Sequence, residues 1–145
     1  MKWLEKKYFE ISLLVIILSS PFAHAGELPR SDSPENARVY IISPADGETV
    51  NETLTVKYGL QGMGVAPAGV DKKNTGHHHL LIDSETLPAL DKPLGSDVKH
   101  FGGGQTEATI QLTKGKHTLQ LILGNHLHVP HNPPVVSEKI TIFVR

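Results

Sequence analysis

Nine histidines stand in a chain of 145 residues, and all but His24 lie between positions 77 and 131. They fall as His77-His78-His79, His100, His117 and His126-x-His128-x-x-His131. Neutral imidazole is the commonest protein ligand for zinc, copper and nickel. A His-x-His pair on an extended chain sends both rings to the same face, so two such pairs on neighbouring strands converge on one ion. The chain contains no cysteine. A disulfide framework, a thiolate zinc site, an iron–sulfur cluster and a cysteine nucleophile are thereby excluded. Of two methionines only Met63 lies beyond the N-terminal segment, which disfavours a soft Cu(I) site and leaves Zn(II) or Cu(II).

The elements that must position these rings are strands. Residues 39–43 are β-branched and aromatic and close on Pro44-Ala45-Asp46-Gly47, a turn sequence. Leu54, Val56, Tyr58 and Leu60 alternate with Thr53, Thr55, Lys57 and Gly59, the period of a half-buried strand. Further strands are expected over 77–83, 108–112, 117–123 and 136–144, with Thr113-Lys114-Gly115-Lys116 as a hairpin connection. No window carries a helical period. The expected fold is all-β, an antiparallel immunoglobulin-like β-sandwich of about six to seven strands with two long loops, 61–76 and 84–106.

In that order of strands the third lies antiparallel beside the fifth, which brings 77–79 against 126–131. With Leu119, Leu121 and Leu123 facing the core, alternation sends His126 and His128 outward. Leu80 and Ile82 face in with His78, leaving His77 and His79 outward. The expected ligands are therefore His77, His79, His126 and His128. If Gly124 or Pro130 introduces a bulge, His78 or His131 substitutes. His100 and Glu107 arrive at the same end, Glu107 or Asp83 as a carboxylate that fixes an imidazole tautomer. His117 falls at the opposite end. Nothing supplies a separate base or substrate pocket, so catalysis ranks below binding.

Residues 1–25 read as a secretory signal peptide: Lys2, Lys6 and Lys7, then an apolar run over 11–18, then Ala23-His24-Ala25. The run is far short of the roughly 20 residues that span a membrane, and no other follows. Cleavage after Ala25 would leave a polar, flexible lead-in over 26–37 and one domain over 38–145, in a bacterial periplasm or outside the cell. Loss of the leader's three lysines and two glutamates changes 14 basic against 15 acidic side chains to 11 against 13. No basic stripe is left for nucleic acid, and Tyr40, Tyr58, Phe101 and Phe143 are too few for a stacking platform.

Several motifs carry a more specific likeness. Gly62-Met63-Gly64-Val65-Ala66-Pro67-Ala68-Gly69, Asn74-Thr75-Gly76-His77-His78-His79-Leu80-Leu81-Ile82-Asp83, Phe101-Gly102-Gly103-Gly104-Gln105-Thr106-Glu107, His117-Thr118-Leu119-Gln120-Leu121 and His128-Val129-Pro130-His131 resemble a bacterial exported family catalogued as a domain of unknown function, family 4399. The opening and penultimate strands also resemble bacterial immunoglobulin-like domains. The resemblance implies a small exported single domain and assigns no residue a role. Two readings stand side by side: a divalent-metal site built from histidine, and a module recognising a protein or envelope component whose histidines brace long loops or sense pH.

Overall fold

The computed structural model describes residues 28–145; the signal peptide expected over 1–25 lies outside them. The chain folds as β1 (Arg38–Ser43), β2 (Thr49–Val50), β3 (Thr53–Gln61), β4 (Gly64–Val65), β5 (Thr75–Ile82), β6 (Lys99–His100), β7 (Glu107–Gln111), β8 (Gly115–Gly124) and β9 (Ile140–Val144). One sheet has the order β1-β3-β7 and the other β2-β9-β8-β5-β4, with β6 added to β5. Pairing is antiparallel except for the two-residue ladders β2/β9 and β4/β5. The result is an all-β, immunoglobulin-like sandwich. Among the described residues, the three two-residue pieces β2, β4 and β6 join the six expected strands.

Alternation determines which side chains meet between the sheets. Leu54, Val56 and Tyr58 of β3 are buried between exposed Thr53, Thr55 and Lys57. They pack with Val39, Leu80, Ile110, Leu119, Leu121, Leu123 and Ile142 in one apolar core. β5 and β8 pair with His78 opposite Leu123 and Leu80 opposite Leu121, so the inward sets of both strands coincide. The outer face of the same pair is also covered. Leu81 and Ile122 pack there against Leu94 and Val98 of the long segment between β5 and β6.

Three expectations are corrected. Residues 113–116 do not close a hairpin, because β7 pairs with β3 whereas β8 pairs with β5 and β9; the turn carries the chain from one sheet to the other. The last strand begins at Ile140 rather than 136. Ser137 breaks the ladder there by using both its N–H and its hydroxyl on Leu121, with Val136 left as a single bridge to Ile122. The segment expected as a flexible lead-in is tied down over 29–33. Arg30 donates to the carbonyls of Pro130 and His131, Ser33 N–H donates to Asn132 O, and Pro29 O accepts from Asn125. Polar composition concealed these bonds because their partners lie about a hundred residues away.

Candidate metal centre

β5 places three consecutive histidines in two environments. His78 turns inward, its Nδ1 3.2 Å from the carbonyl of Gln105 and its ring 5.2 Å from that of Tyr58. His77 and His79 turn to the outer face, yet both are fully buried. The covering side chain on one flank is His100. After the long segment 84–98, β6 returns along the free edge of β5 and sets His100 directly opposite His79. Phe101 N–H then donates to His78 O at 3.1 Å, which holds the return in register. Gly102 follows for lack of room: a Cβ there would overlap the His100 ring.

On the other flank the chain leaves β8 at Gly124, opposite His77. The alternation expected to carry through His126 stops there because Asn125 captures the backbone. Its buried side-chain carbonyl accepts from Leu127 N–H at 2.9 Å and Val129 N–H at 3.0 Å. Its amide donates to Pro29 O and Ser31 Oγ. This turn brings His128 round in the left-handed region, φ 67°, a conformation that histidine tolerates better than most residues. Gly124 leaves space beneath it. A Cβ at that position would stand 2.7 Å from Cε1 of His79 and 3.3 Å from Cα of His128.

Four imidazoles therefore meet: His77, His79, His100 and His128. Ligand nitrogens of His77, His79 and His100 all lie within 4.8 Å of one another. His128 Nε2 stands 3.1 Å from His100 Nε2. His77 and His79 form the buried floor, while His100 is exposed and His128 half-buried at the mouth. Both ring nitrogens of His77 and of His79 are buried without any hydrogen-bond partner. Burial, reinforced by the neighbouring imidazoles, pushes His77 down to about 4 and His79 to about 3. Both rings are accordingly neutral near pH 7, the form that donates a lone pair to a metal.

The other expected residues go elsewhere. His126 lies with its Nδ1 3.4 Å from Asp71. Buried His131 faces two carbonyls, Thr75 O at 3.1 Å from Nε2 and Leu123 O at 3.4 Å from Nδ1. A neutral ring has one N–H, so the shorter contact is its bond, and His131 braces the entry to β5. Glu107 is exposed on the opposite sheet, across from Lys57. At the far end of β8, His117 pairs with Asp83 at 2.7 Å and faces Thr113 O at 2.8 Å. The hydrogen bond to Asp83 raises its pKa above the ordinary histidine value. Asn125 escaped sequence reading, although an Asn between a glycine and a histidine-rich turn is the residue type that caps such turns.

Among the described residues, no helix is long and apolar enough to cross a membrane. The fold is similar to the fibronectin(III)-like modules of Clostridium thermocellum CbhA at 14% identity and a TM-score of 0.37, over 74% of this chain and 95% of that one. No curated protein matches the chain. Residues 56–145, a span that holds all four clustered histidines, match the family described as Domain of unknown function (DUF4399), and the chain belongs to that family.

Proposed function

We propose that this domain binds one divalent transition ion, Zn(II) or Cu(II), at His77, His79 and His100 with His128 beside them, in the periplasm or outside the cell. The observation that carries the reading is the set of four partnerless ring nitrogens on His77 and His79. Buried polar atoms are nearly always bonded, and each orphan costs about 1–3 kcal/mol. Two neutral imidazoles tilted 43° to one another with centroids 4.7 Å apart make no hydrogen bond between them, whereas one cation satisfies a nitrogen of each. An all-nitrogen set with no thiolate suits Zn(II) and Cu(II). The charged leader with its apolar run supports export. Binding is favoured over catalysis because the carboxylates expected beside the cluster lie elsewhere: Asp83 holds His117 at the far end of β8, and Glu107 belongs to the other sheet.

The test is metal analysis of untagged protein, followed by calorimetric titration with Zn(II) and Cu(II) at neutral pH. One ion per chain is expected, with a rise in Tm corresponding to about 2.7 kcal/mol when free metal is a hundred times Kd. A stoichiometry well below one, with neither heat nor thermal stabilisation, would falsify the reading.

A further inference from the structure

Resting on metal binding at this cluster, we infer that the centre is a closed, tetrahedral, four-imidazole site in which His128 supplies the fourth nitrogen. Such a site suits Zn(II) and accepts Cu(II) only in a distorted form. With nitrogen–metal distances of 2.0–2.1 Å, a ring centroid sits about 3.2 Å from the ion. Four rings at tetrahedral corners are then about 5.2 Å apart in every pair, whereas a square separates neighbours by about 4.5 Å and opposite rings by about 6.4 Å.

All six separations are short. They are 4.7 Å for His77–His79, 5.0 Å for His77–His100 and 5.0 Å for His77–His128. The others are 5.1 Å for His79–His100, 5.9 Å for His79–His128 and 4.6 Å for His100–His128. A square requires two long diagonals that share no ring. The longest pair, His79–His128, has His77–His100 as its complement, and that distance is only 5.0 Å. The square fails on this diagonal. The tetrahedron is met to within about 0.7 Å at every edge. Aromatic pairs of any kind settle at 4.5–7 Å, so one such distance has no weight; the closure of six at once, around unpartnered nitrogens, does.

The nitrogens within 4.8 Å of one another are those of His77, His79 and His100; His128 joins them through one pair, whose spacing fits a square as well as a tetrahedron. Two ligands on one ion at right angles are about 2.9 Å apart and at the tetrahedral angle about 3.3 Å. Nε2 of His100 and Nε2 of His128 are 3.1 Å apart. The rings also come from three directions: His77 and His79 from β5, His100 from β6, and His128 from the turn after β8. Four protein nitrogens leave no coordination position for water. The centre therefore holds its ion instead of activating a hydroxide on it.

Co(II) substitution in the untagged full-length product reads this geometry directly. Four-coordinate Co(II) gives intense visible ligand-field bands, and six-coordinate Co(II) gives weak ones. Wild type is expected to bind one Co(II) with the intense bands. His128→Asn, chosen because asparagine accepts a left-handed backbone, is expected to keep one-to-one binding and the apo Tm, to shift the bands and make them pH-dependent as a water takes the fourth position, and to bind Zn(II) at least about tenfold more weakly. Stoichiometric Co(II) with weak bands in wild type overturns the tetrahedral assignment while metal binding stands. Bands and Zn(II) affinity both unchanged in His128→Asn overturn His128 as the fourth ligand. Absence of any bound metal overturns the underlying reading and this one with it.

Discussion

Gly102 and Gly124 keep open the volume that the His100 and His79 rings occupy, and neither side chain can be added without moving a ring. Gly102 lies on a surface turn, so Gly102→Ala should displace His100 at little cost in stability: Zn(II) affinity falls by at least about tenfold while the apo Tm changes by little. Calorimetric titration beside a thermal melt checks both halves, and unchanged affinity refutes the packing argument. Gly124 is enclosed, with β5 on one side and His128 on the other, and Gly124→Ala should cost about 1–3 kcal/mol by overpacking. His126 makes the control. Removing a ring that lies outside the cluster and faces exposed Asp71 at 3.4 Å is expected to leave metal affinity unchanged, whereas His79→Ala abolishes it.

Elements decide which of these rings could be read in advance. Successive side chains of a strand point to opposite faces, so in β5, three histidines followed by Leu80, Leu81 and Ile82 and buried on both sides, His77 and His79 belong on one face and His78 on the other. Their fold neighbours follow because the third and fifth strands of such a sandwich pair. His100 carries no comparable signal: β6 is two residues long and exists only because a long loop folds back on β5. His126 is misplaced by the same reasoning, since periodicity does not foresee where Asn125 ends β8. The turn that results depends on one side chain. Asn125→Ala leaves the amides of Leu127 and Val129 without their acceptor, at about 1–3 kcal/mol each, and frees His128. A loss of stability in denaturant together with weaker Zn(II) binding is expected; a stable variant with unchanged affinity refutes the role. The loop has its own anchor in Leu94, packed on Leu81 and Ile122. Because an ion would join His100 of β6 to His79 of β5, amide exchange at 99–101 should slow on adding Zn(II) and stay fast in His100→Ala.

Over the whole molecule, two histidines at opposite ends make stability depend on pH with opposite signs. His131 is held below its ordinary pKa of 6.5, first by burial and also by the Arg30 guanidinium bonded to its own carbonyl. Its unfolded form binds a proton more readily than its folded form. The contribution is therefore complete above pH 6.5 and is lost as pH falls through the lower folded value. The depressed pKa values of His77 and His79 act in the same direction. His117 is held above 6.5 by Asp83, which also accepts from Thr118 N–H and so ties the end of β5 to β8. Its contribution is complete below 6.5 and is lost as pH rises through the higher folded value. Buried groups outnumber this single exposed pair, and ion pairs at the surface are worth at most about 1 kcal/mol. The metal-free protein should therefore lose stability steadily from pH 7 to pH 4. His117→Asn should reduce stability at pH 5.5 and have a smaller effect at pH 8.5. Urea melts of both proteins at the two pH values measure this. A His117→Asn deficit that grows toward alkaline pH would show that the Asp83 pair does not hold the proton that its geometry assigns.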